Sequence, residues 1–583
     1  MKAVELEKTY NPKSFEERIY AQWKNAGAFQ PDKESVKSYY GIVIPPPNVT
    51  GVLHLGHGLN ISLQDIIIRY HRMKGEKVLW LPGTDHAGIA TQNVVEKKLK
   101  AQGKSRHDLG REKFVEETWK VKEEHHEIIS EQIARMGASV DWSRERFTLD
   151  DGLSHAVREV FVTLHERDLI YKGNYLVNWC TSCGTALSDD EVEHEETSGF
   201  LYHIRYFVVN GNENEAISLA TTRPETLLGD TAVAVNPDDE RYKDFIGKEV
   251  YLPLTNRKIP IIADTYVDKT FGTGVVKITP AHDPNDWEVS KRHNLPVINI
   301  LTPHGKLNGE VPEKYQGMTV KNARKAVLED LKEQGFFIAE EKITHSVGHC
   351  YRCNTVIEPY LSEQWFVRMK PLAEKALSAW KEGKIIFFPK KWENTYQHWL
   401  TNIRDWCISR QLWWGHRIPA WYCADCGKIT VSRQDPTLCS HCNGKNISQD
   451  EDVLDTWFSS WLWPFSTLGW PSKTQDLADY YPTTALVTGY DIIFFWVARM
   501  IMAGLEFTGE VPFRDIYITG LLRDKQGRKM SKSLGNGLDP LELVDEAGAD
   551  ALKFTLAFLC AQGQDILIDK ESVKLGSKFA NKI

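Results

Sequence analysis

The stretch that decides the fold is YYGIVIPPPNVTGVLHLGHGLN, residues 39–60. It begins as an apolar run that three prolines end, which is the pattern of a short buried strand. A second apolar run, KVLWLP at residues 77–82, predicts another buried strand. With a helix between them, the two strands form the right-handed parallel unit from which a doubly wound α/β sheet is built. Ligands of such sheets lie beyond the carboxyl ends of the strands.

The helix predicted between the two strands begins after Gly51 and ends at Gly75. Its apolar residues recur three and four positions apart, so one face should pack against the core. This expected face consists of Leu59, Leu63, Ile66, Ile67 and Tyr70.

Two histidines, His54 and His57, lie three residues apart where this helix begins, and three interpretations compete for them. Zinc proteases place their histidines four apart around a glutamate, whereas Leu55 and Gly56 separate these two. Packed core histidines are the structural alternative. The third interpretation is a phosphate site, because a helix N-terminus offers backbone N–H groups and imidazoles add donors. Gly56 would then let a flat ring approach the backbone closely.

A second segment, GLLRDKQGRKMSKSLGNGLDP at residues 520–540, favours the phosphate interpretation. A lysine-rich loop alone is usually a solvated turn, but loop lysines can neutralise charge as the α-phosphate of a nucleotide is attacked. We therefore predict one ATP site made from both segments. Its expected catalytic residues are His54, His57, Lys529 and Lys532, and its expected ATP-binding residues are these four with Gly56, Met530, Ser531 and Ser533.

The composition of the 583 residues is that of a globular protein, with 42% apolar and 26% charged residues. The N-terminus lacks the apolar run of a signal peptide, so a cytoplasmic protein is expected. The most apolar segment, DIIFFWVARMIMAGLEF, contains Arg499 and is too short to span a bilayer, so no membrane partner is expected. A net charge of -8 argues only mildly against nucleic acid, because a basic face can lie within an acidic total.

Eight of the ten cysteines form four Cys-x-x-Cys pairs, which in a cytoplasmic protein indicate zinc more often than disulfides. The pairs 423/426 and 439/442 are spaced as a closed four-sulfur zinc ribbon over residues 420–445. The pairs 180/183 and 350/353 can share an ion only if a whole module is inserted between them, and two unrelated surface turns are the alternative. Cys407 and Cys560 are expected to be small buried hydrophobic residues. The expected zinc ligands are Cys180, Cys183, Cys350, Cys353, Cys423, Cys426, Cys439 and Cys442.

These motifs resemble those of the class I aminoacyl-tRNA synthetases and, within that family, the valyl-tRNA synthetases. HLGH (54–57) and KMSKS (529–533) look like the two signatures of the class. Blocks such as GTDHAGIATQ (83–92), TTRPETLLGD (221–230) and GYDIIFFW (489–496) follow the valyl order, and the resemblance covers essentially the whole chain. It implies a Rossmann-like doubly wound parallel sheet as the catalytic domain, interrupted by a β-rich, barrel-like editing domain and by zinc-binding modules.

The resemblance implies a monomer that activates valine with ATP and Mg²⁺, transfers it to tRNA(Val) and holds two structural Zn²⁺ ions. Attack of the valine carboxylate on the α-phosphorus gives valyl-adenylate and pyrophosphate, so positioning and charge stabilisation supply most of the catalysis. Asp85 would pair with the valine ammonium, and the indole of Trp457 would shorten the side-chain pocket. The implied valine-binding residues are Pro45, Pro46, Asn48, Asp85, Trp457 and Ile492.

Residues 195–345 are rich in β-branched residues and turn signals, which predicts an inserted barrel-like module. The resemblance makes it an editing domain for mischarged Thr-tRNA(Val), since an apolar pocket rejects an added hydroxyl poorly, a problem for which valyl-tRNA synthetase is itself the standard example. Asp286 would hold the ammonium and Asp283 would accept the threonine hydroxyl, although AHDPND (281–286) is also a good turn or helix-cap sequence. The implied editing residues are Thr221, Thr222, Arg223, Phe271, Lys277, Thr279, Asp283 and Asp286.

Four segments are expected along the chain. Residues 1–194 should hold an N-terminal helix and the first half of the catalytic domain with the first zinc pair, and residues 195–345 the editing domain. Residues 346–520 should hold the second zinc pair, the ribbon and the second half of the catalytic domain, and residues 521–583 the KMSKS segment and the start of a helical region that contacts the tRNA stem. Family members continue into an anticodon-binding domain and a coiled coil, so the resemblance implies that these 583 residues charge tRNA weakly.

Two other functions compete with this interpretation. A tRNA-independent adenylylating enzyme would share the phosphate signatures but would not need TTRPET or the inserted module. A non-catalytic, zinc-ribbon RNA-binding fragment would not need HLGH and KMSKS, both of which are intact.

Overall fold

The computed structural model describes residues 9–32, 37–212, 215–528, 530 and 536–583. The chain divides into two compact units. The larger unit combines Met1–Tyr171 with Phe366–Ile583, and the inserted unit is Lys172–Trp365. The inserted unit is therefore wider than residues 195–345 and includes the first two Cys-x-x-Cys pairs. No helix in the described ranges is both long enough and apolar enough to cross a membrane.

The first segment of the larger unit contains α1 Glu16–Asn25, β1 Tyr39–Val43, α2 Leu55–Met73, β2 Lys77–Leu81, β3 Gly83–Thr84, α3 Gly88–Ala101, α4 Arg106–Leu109, α5 Arg111–Arg135, β4 Arg146–Phe147 and α6 Asp151–Glu166. Strands β1 and β2 pair in parallel, with Ile42 opposite Trp80, and α2 connects them. After α2, Gly75 has a φ of 75°, a left-handed conformation that glycine adopts without strain. The predicted strand–helix–strand unit and the predicted helix end are confirmed.

The predicted core-facing side of α2 is confirmed at Leu59, Leu63 and Ile67, which belong to the apolar core or pack against it. Ile66 and Tyr70 were also expected in the core but are 44% and 59% exposed. The buried face passes also through Asp65, which accepts the backbone N–H of Ser139 at 2.9 Å and pairs with Lys553 at 2.7 Å. Apolar periodicity misses this part of the face, because its buried positions include polar residues that are satisfied by hydrogen bonds.

The inserted unit is rich in strands, as predicted. Its elements are β5 Ile170–Cys180, β6 Thr185–Leu187, β7 Val192–Phe207, β8 Ala216–Thr221, β9 Ala232–Val235, β10 Glu249–Tyr251, β11 Lys258–Ala263, β12 Val275–Ile278, α7 Pro284–His293, α8 Val320–Glu333, β13 Phe337–Cys350 and β14 Glu358–Val367, of which β5 begins and β14 ends in the larger unit. One sheet has the order β13-β7-β8 and another the order β10-β11-β9-β12. The barrel-like closure of these strands stays a prediction.

The second segment of the larger unit contains α9 Lys370–Lys381, β15 Ile386–Phe388, α10 Trp392–Thr401, β16 Trp406–Cys407, β17 Ser409–Arg410, β18 Ala420–Cys423, β19 Ile429–Val431, β20 Ile447–Gln449, β21 Val453–Leu454, α11 Trp457–Ser460, α12 Trp463–Ser466, α13 Gln475–Tyr480, β22 Thr483–Gly489, α14 Arg499–Phe507, β23 Phe513–Thr519, β24 Leu522–Arg523, α15 Pro540–Ala547, α16 Ala549–Leu559, β25 Ile566–Leu567 and α17 Lys574–Ala580. Strands β15, β23 and β22 form a parallel sheet. Strands β19, β18 and β20 form a small antiparallel sheet. Cys423 ends β18, and the other three ribbon cysteines lie in the connections between these strands.

The two segments of the larger unit share one apolar core. Ile42 and Trp80, from the first segment, belong to the same buried cluster as Leu552 and Leu556 on α16. The fold is thus mixed α/β with several sheets, and the first and last thirds of the chain fold together. The doubly wound order of the whole parallel sheet stays a prediction.

Candidate functional site

Helix α2 begins within the HLGH tetrapeptide, and both histidines bond to its first turn. His54 is the N-cap residue, and its Nδ1 accepts the backbone N–H of Gly56 at 3.1 Å. His57 Nδ1 accepts the backbone N–H of His54 at 3.1 Å. Because both Nδ1 atoms accept, each neutral ring carries its proton on Nε2, where it can donate to an anion. The ring centroids are 3.9 Å apart, so two imidazole donors lie together at a helix N-terminus.

The neutral state of His57 and the room beside Gly56 both suit a site in which the two imidazoles donate hydrogen bonds. Removal from water and the nearby His54 lower the pKa of His57 to about 3, so its ring is neutral near pH 7. A Cβ on Gly56 would come within 2.9 Å of His54 Cε1. Position 56 therefore needs a glycine because the ring of His54 itself lies close to its backbone.

The second predicted half of the ATP site lies mostly outside the described residues. Lys529, Ser531, Lys532 and Ser533 are all outside them, and their roles stay predictions. Met530 is described, and it packs against the apolar core of the larger unit.

Asp524 binds described residues on both sides of KMSKS. Its Oδ2 accepts hydrogen bonds from Arg528 Nε at 2.8 Å and from Asn536 Nδ2 at 2.9 Å. The hydrogen bond from Asn536, followed by those from Arg528, lowers the pKa of Asp524 to about 2. An ionised carboxylate thus joins the chain before the motif to the chain after it.

Asp85, the carboxylate predicted to bind an ammonium group, lies beside the PPPN segment. The backbone N–H of Asp85 donates to Pro47 O at 2.9 Å, and the backbone N–H of Val49 donates to Asp85 O at 3.1 Å. These bonds make Asn48 and Asp85 direct neighbours in a parallel bridge. Asp85 is only 3% exposed. The structure therefore brings together two of the predicted valine-binding residues.

The other predicted valine-binding residues lie on segments that bond to this region or adjoin it. Trp457 begins α11, on which Ser460 Oγ donates to Asp85 Oδ2 at 2.5 Å. Ile492 precedes the π-helix Ile493–Ala498, whose Trp496 Nε1 donates to Ser460 O at 2.9 Å. Sequence reasoning gave Ser460 no role, although it lies within DVLDTWFSS. The three residues expected to wall the side-chain pocket, Pro46, Trp457 and Ile492, are each partly buried, as is Pro45, which is expected beside the amino acid with the exposed Asn48.

In the inserted unit, a buried polar cluster surrounds Lys277. Its Nζ donates to Thr226 Oγ1 at 2.9 Å and to Asp230 Oδ1 at 3.2 Å. Thr279 Oγ1 donates to the same Asp230 oxygen at 2.6 Å, and Tyr206 Oη donates to Asp230 Oδ2 at 2.7 Å. Asp230 is 0% exposed, and its charge allows the ammonium of Lys277 to be buried. Asp230 had no predicted role, although it ends the block TTRPETLLGD.

The two aspartates of AHDPND have different environments. Asp283 is the N-cap of α7, and its Oδ1 accepts the backbone N–H groups of Asn285 and Asp286 at 2.8 and 3.2 Å. The prediction that AHDPND can cap a helix is thus confirmed for Asp283. Asp286 is 5% exposed, and burial, followed by the charge of Asp283, raises its pKa to about 7.

Arg223 joins TTRPET to AHDPND. Its Nη1 donates to His282 O at 3.2 Å, and its Nη2 pairs with Glu358. Thr221 Oγ1 accepts the backbone N–H of Arg223 at 3.1 Å, and Thr222 between them is partly buried. Phe271, in contrast, is 73% exposed, and the structure does not place it in the buried cluster around Lys277.

Both predicted four-cysteine groups are assembled. Within each group the four sulfur atoms all lie within 4.8 Å of one another. Cys180 and Cys353 have their sulfurs 3.4 Å apart, and Cys423 and Cys442 have theirs 3.6 Å apart. A tetrahedral ion with metal–sulfur bonds of ~2.3 Å needs sulfurs roughly 3.8 Å apart, so zinc fits both groups. The meeting of the 180/183 and 350/353 pairs is confirmed, and the alternative of two unrelated turns is wrong.

The same local turn presents the sulfurs in all four pairs. The residue after each second cysteine has a φ between 57° and 70°, and its N–H bonds to the first cysteine's carbonyl at 2.8 to 3.0 Å. Glycine and asparagine are the residues that adopt this conformation most easily. They occupy the position in every pair, as Gly184, Asn354, Gly427 and Asn443.

Comparison with known proteins agrees with these features. The family model described as tRNA synthetases class I (I, L, M and V) matches residues 18–569. The chain is 70% identical to the valine--tRNA ligase of Treponema denticola, covering 100% of this chain and 65% of that protein. It is 60% identical to the valine--tRNA ligase of Thermotoga maritima, covering 100% of this chain and 67% of that protein. The chain thus spans about two thirds of the length of these relatives.

Solved structures show a likeness of fold at low sequence identity. The ternary complex of Agrobacterium radiobacter K84 LeuRS with tRNA and LeuAMS has a TM-score of 0.56 at 20% identity, covering 98% of this chain and 75% of that one. Mycobacterium tuberculosis methionyl-tRNA synthetase in complex with methionyl-adenylate has a TM-score of 0.50 at 15% identity, covering 92% of this chain and 68% of that one.

Proposed function

The chain belongs to the class I tRNA synthetases, and from this premise we propose that it activates valine with ATP and transfers it to tRNA(Val). The observation that carries the proposal is that the same unit contains a buried carboxylate, Asp85, beside PPPN and a donor-rich helix N-terminus at HLGH. A carboxylate suits the ammonium of an amino acid, and imidazole and helix N–H groups suit a triphosphate. The identity with valine--tRNA ligases supports valine as the amino acid.

Activation needs no side-chain nucleophile. A carboxylate oxygen of valine attacks the α-phosphorus of ATP, a new P–O bond forms, and pyrophosphate leaves with the electrons of the broken bond. His54 and His57 would donate to phosphate oxygens as charge develops, and Lys529 and Lys532 would neutralise the leaving pyrophosphate. Mg²⁺ bound with ATP would supply further positive charge. In the second step a terminal ribose hydroxyl of the tRNA takes the valyl group, and AMP leaves.

The pocket for the valine side chain would be walled by Pro46, Trp457 and Ile492, with Pro45 and Asn48 beside the amino acid. The indole of Trp457 is partly buried, and as a wall it would shorten the slot so that isopropyl fits and a longer branched chain does not. One methylene in such a slot is worth about 1–3 kcal/mol. That scale is enough to disfavour isoleucine, but it gives little protection against threonine, which has nearly the shape of valine.

We propose that the inserted unit removes threonine by hydrolysing Thr-tRNA(Val). In its buried cluster the ammonium of Lys277 donates to the hydroxyl of Thr226 and to the carboxylate of Asp230. Thr279, two residues after Lys277, bonds to the carboxylate of Asp286 in the first turn of α7. Asp286 would hold the substrate ammonium, and Asp283 would accept the threonine hydroxyl. Thr221, Thr222 and Arg223 would hold the terminal adenosine, and Phe271, from its exposed loop, would contact it. A site built to bond a hydroxyl disfavours valine, because its own polar groups stay unpaired.

Zinc is proposed as the ion of both four-cysteine groups. Cys180, Cys183, Cys350 and Cys353 would hold the base of the inserted unit, and Cys423, Cys426, Cys439 and Cys442 would hold the ribbon. Closed four-thiolate sites are structural, and neither takes part in the reaction. A monomer and a cytoplasmic location remain expectations from the sequence.

Amino-acid-dependent ATP–pyrophosphate exchange tests the proposal against its rivals. We expect exchange with valine in the absence of tRNA, and Thr-tRNA(Val) hydrolysis by the same preparation. A tRNA-independent adenylylating enzyme would exchange but leave Thr-tRNA intact. An RNA-binding fragment would show neither activity.

A further inference from the structure

Two hydrogen-bond donors in the described part of the chain hold the Asp85 carboxylate from its two oxygens. Its Oδ1 accepts the backbone N–H of Ala87 at 2.7 Å, and its Oδ2 accepts the hydroxyl of Ser460 at 2.5 Å. The first donor is fixed by the chain next to Asp85, but the second comes from a helix 375 residues further along. His86, next to Asp85, is 0% exposed, and its Nδ1 lies 2.7 Å from Thr148 Oγ1 but 3.9 Å from Asp85 Oδ1, so this ring nitrogen bonds to the threonine and not to the carboxylate.

Ser460 is itself held on both sides. It lies at the end of α11, 3% exposed, in the same turn of helix as Trp457. Its carbonyl accepts the indole N–H of Trp496 from the π-helix that follows Ile492. One serine therefore connects the carboxylate proposed to bind ammonium with the segments that carry two of the three proposed pocket walls, Trp457 and Ile492.

The hydroxyl of Ser460 has two acceptors within reach and one proton to donate. Thr456 O, one helical turn earlier, is 3.1 Å from Ser460 Oγ, whereas Asp85 Oδ2 is 2.5 Å away. The carboxylate is the nearer acceptor and the charged one, and hydrogen bonds to charged groups are the stronger kind. Because Asp85 is 3% exposed, such donors also replace the hydrogen bonds to water that its carboxylate has lost.

We propose that Ser460 is a positioning residue for amino-acid binding: its hydroxyl fixes the Asp85 carboxylate in the orientation that receives the substrate ammonium. This inference rests on the proposed function of Asp85. Preorganised charge is what makes such a site effective, because a carboxylate free to rotate would lose part of its interaction with the ammonium. The role couples ammonium binding to the pocket wall, since Trp457 and Ser460 share one short helix.

The neighbouring serine provides a matched control. Ser459 is 1% exposed on the same helix, and its hydroxyl donates to Thr456 O at 2.9 Å and not to Asp85. Ser460→Ala should raise the KM for valine in ATP–pyrophosphate exchange roughly tenfold, the scale of one hydrogen bond to a charged group. The kcat and the KM for ATP should change less than about twofold, and Ser459→Ala should leave all three near wild type. If Ser460→Ala fails to fold, Ser460→Cys, of similar size but a weaker donor, should show a smaller rise in the valine KM.

A double-mutant cycle with Asp85→Asn decides whether Ser460 acts through the carboxylate. Valine affinity is measured by calorimetry on the four folded proteins. On the Asp85→Asn background, Ser460→Ala should weaken valine binding much less than it does on the wild-type background. Additive losses, or a wild-type valine KM for Ser460→Ala, would overturn the inference while leaving the proposed function in place. An absence of valine-dependent exchange in the unmodified chain would overturn both.

Discussion

The backbone N–H of Thr279 donates to Asp286 Oδ2 at 2.8 Å, and the same threonine donates its hydroxyl to Asp230 at 2.6 Å. One residue at the end of β12 thus bonds to two buried carboxylates. Lys277, also bonded to Asp230, is the cation of this cluster. Within the described residues, no cation donates a hydrogen bond to the carboxylate of Asp286. Burial raises the pKa of this carboxyl group to about 7.

Asp286 should make stability depend on pH. Its pKa is about 7 in the fold and near 3.8 in a free chain, so ionising it opposes folding. The stability it contributes is fully present below about pH 4 and is lost as the pH rises through 7. At roughly 1.4 kcal/mol per pKa unit, the loss reaches a few kcal/mol. The Tm of Asp286→Asn relative to wild type should therefore rise between pH 4 and pH 8.

The exposed Glu288 on the same helix, paired with Lys291, provides the control for this measurement. Glu288→Gln should show no comparable change with pH. A constant Tm difference between Asp286→Asn and wild type across this range would contradict the shifted pKa.

Replacing the two aspartates of AHDPND should have different effects on the hydrolysis of the aminoacyl-tRNA ester. Asp286→Ala should abolish hydrolysis of both Thr-tRNA(Val) and Val-tRNA(Val), because the ammonium loses its anchor. Asp283→Ala should reduce the preference for threonine, and it should also cost about 1 kcal/mol of stability as a lost helix cap. Asp283→Asn keeps a capping residue, so it separates these effects. If both alanine variants clear Thr-tRNA at the wild-type rate, AHDPND is only a turn and cap.

The local parts of this fold could be predicted from sequence because short-range chemistry determines them. The strand ended by three prolines, the helix end at Gly75 and the sulfur-presenting turns closed by glycine or asparagine each depend on neighbours in the chain. Long-range polar partners could not be predicted. Nothing near Asp65 in sequence indicates Lys553, so the prediction for α2 left out Asp65 and included the exposed Ile66 and Tyr70.

Gly56→Ala should disturb the ATP site without unfolding α2. The new Cβ would come within 2.9 Å of His54 Cε1, so the ring must leave its capping position. Exchange activity should fall toward that of His54→Ala, for which loss of one preorganised donor predicts about 3 kcal/mol of transition-state stabilisation, roughly a hundredfold. Lys532→Ala, outside the described residues, should lose a similar amount.

Gly58→Ala provides the matched control on the same helix. Its Cβ would be 3.5 Å from Met136 Sδ, an ordinary contact, so exchange activity should stay near wild type. Equal losses in the two alanine variants would indicate general damage to α2. Full exchange activity in Gly56→Ala or His54→Ala, together with a lowered Tm, would indicate that the histidines stabilise the fold and do not bind ATP.

Metal analysis of the purified chain should find two zinc ions. Cys180→Ser should leave one ion and loosen the inserted unit, and Cys423→Ser should leave one ion and loosen the ribbon, because metal binding and folding are coupled in such sites. Cys560→Ser lies outside both groups and should retain two ions. If the unmodified chain contains one zinc ion, one of the two cysteine groups is not a zinc site. If it contains none, neither group is.

The candidate sites were predictable to the extent that motifs carry them. HLGH, GTDHAG and TTRPET led to residues that the structure joins by hydrogen bonds, but Ser460 and Asp230 were missed, although Ser460 lies three residues after Trp457 and Asp230 ends TTRPETLLGD. A serine or an aspartate within a motif has no periodicity that distinguishes a buried hydrogen-bonding role from an exposed one. Their roles are visible only after the fold brings distant segments together.

Valine-dependent ATP–pyrophosphate exchange, compared with isoleucine under identical conditions, tests the central claim most directly. We expect robust exchange with valine and a kcat/KM for isoleucine about 10 to 200 times lower, the range for one extra methylene in a closed pocket. His54→Ala should suppress exchange with both amino acids and leave their ratio unchanged. Equal kcat/KM values for valine and isoleucine, or no exchange with valine, would contradict the account.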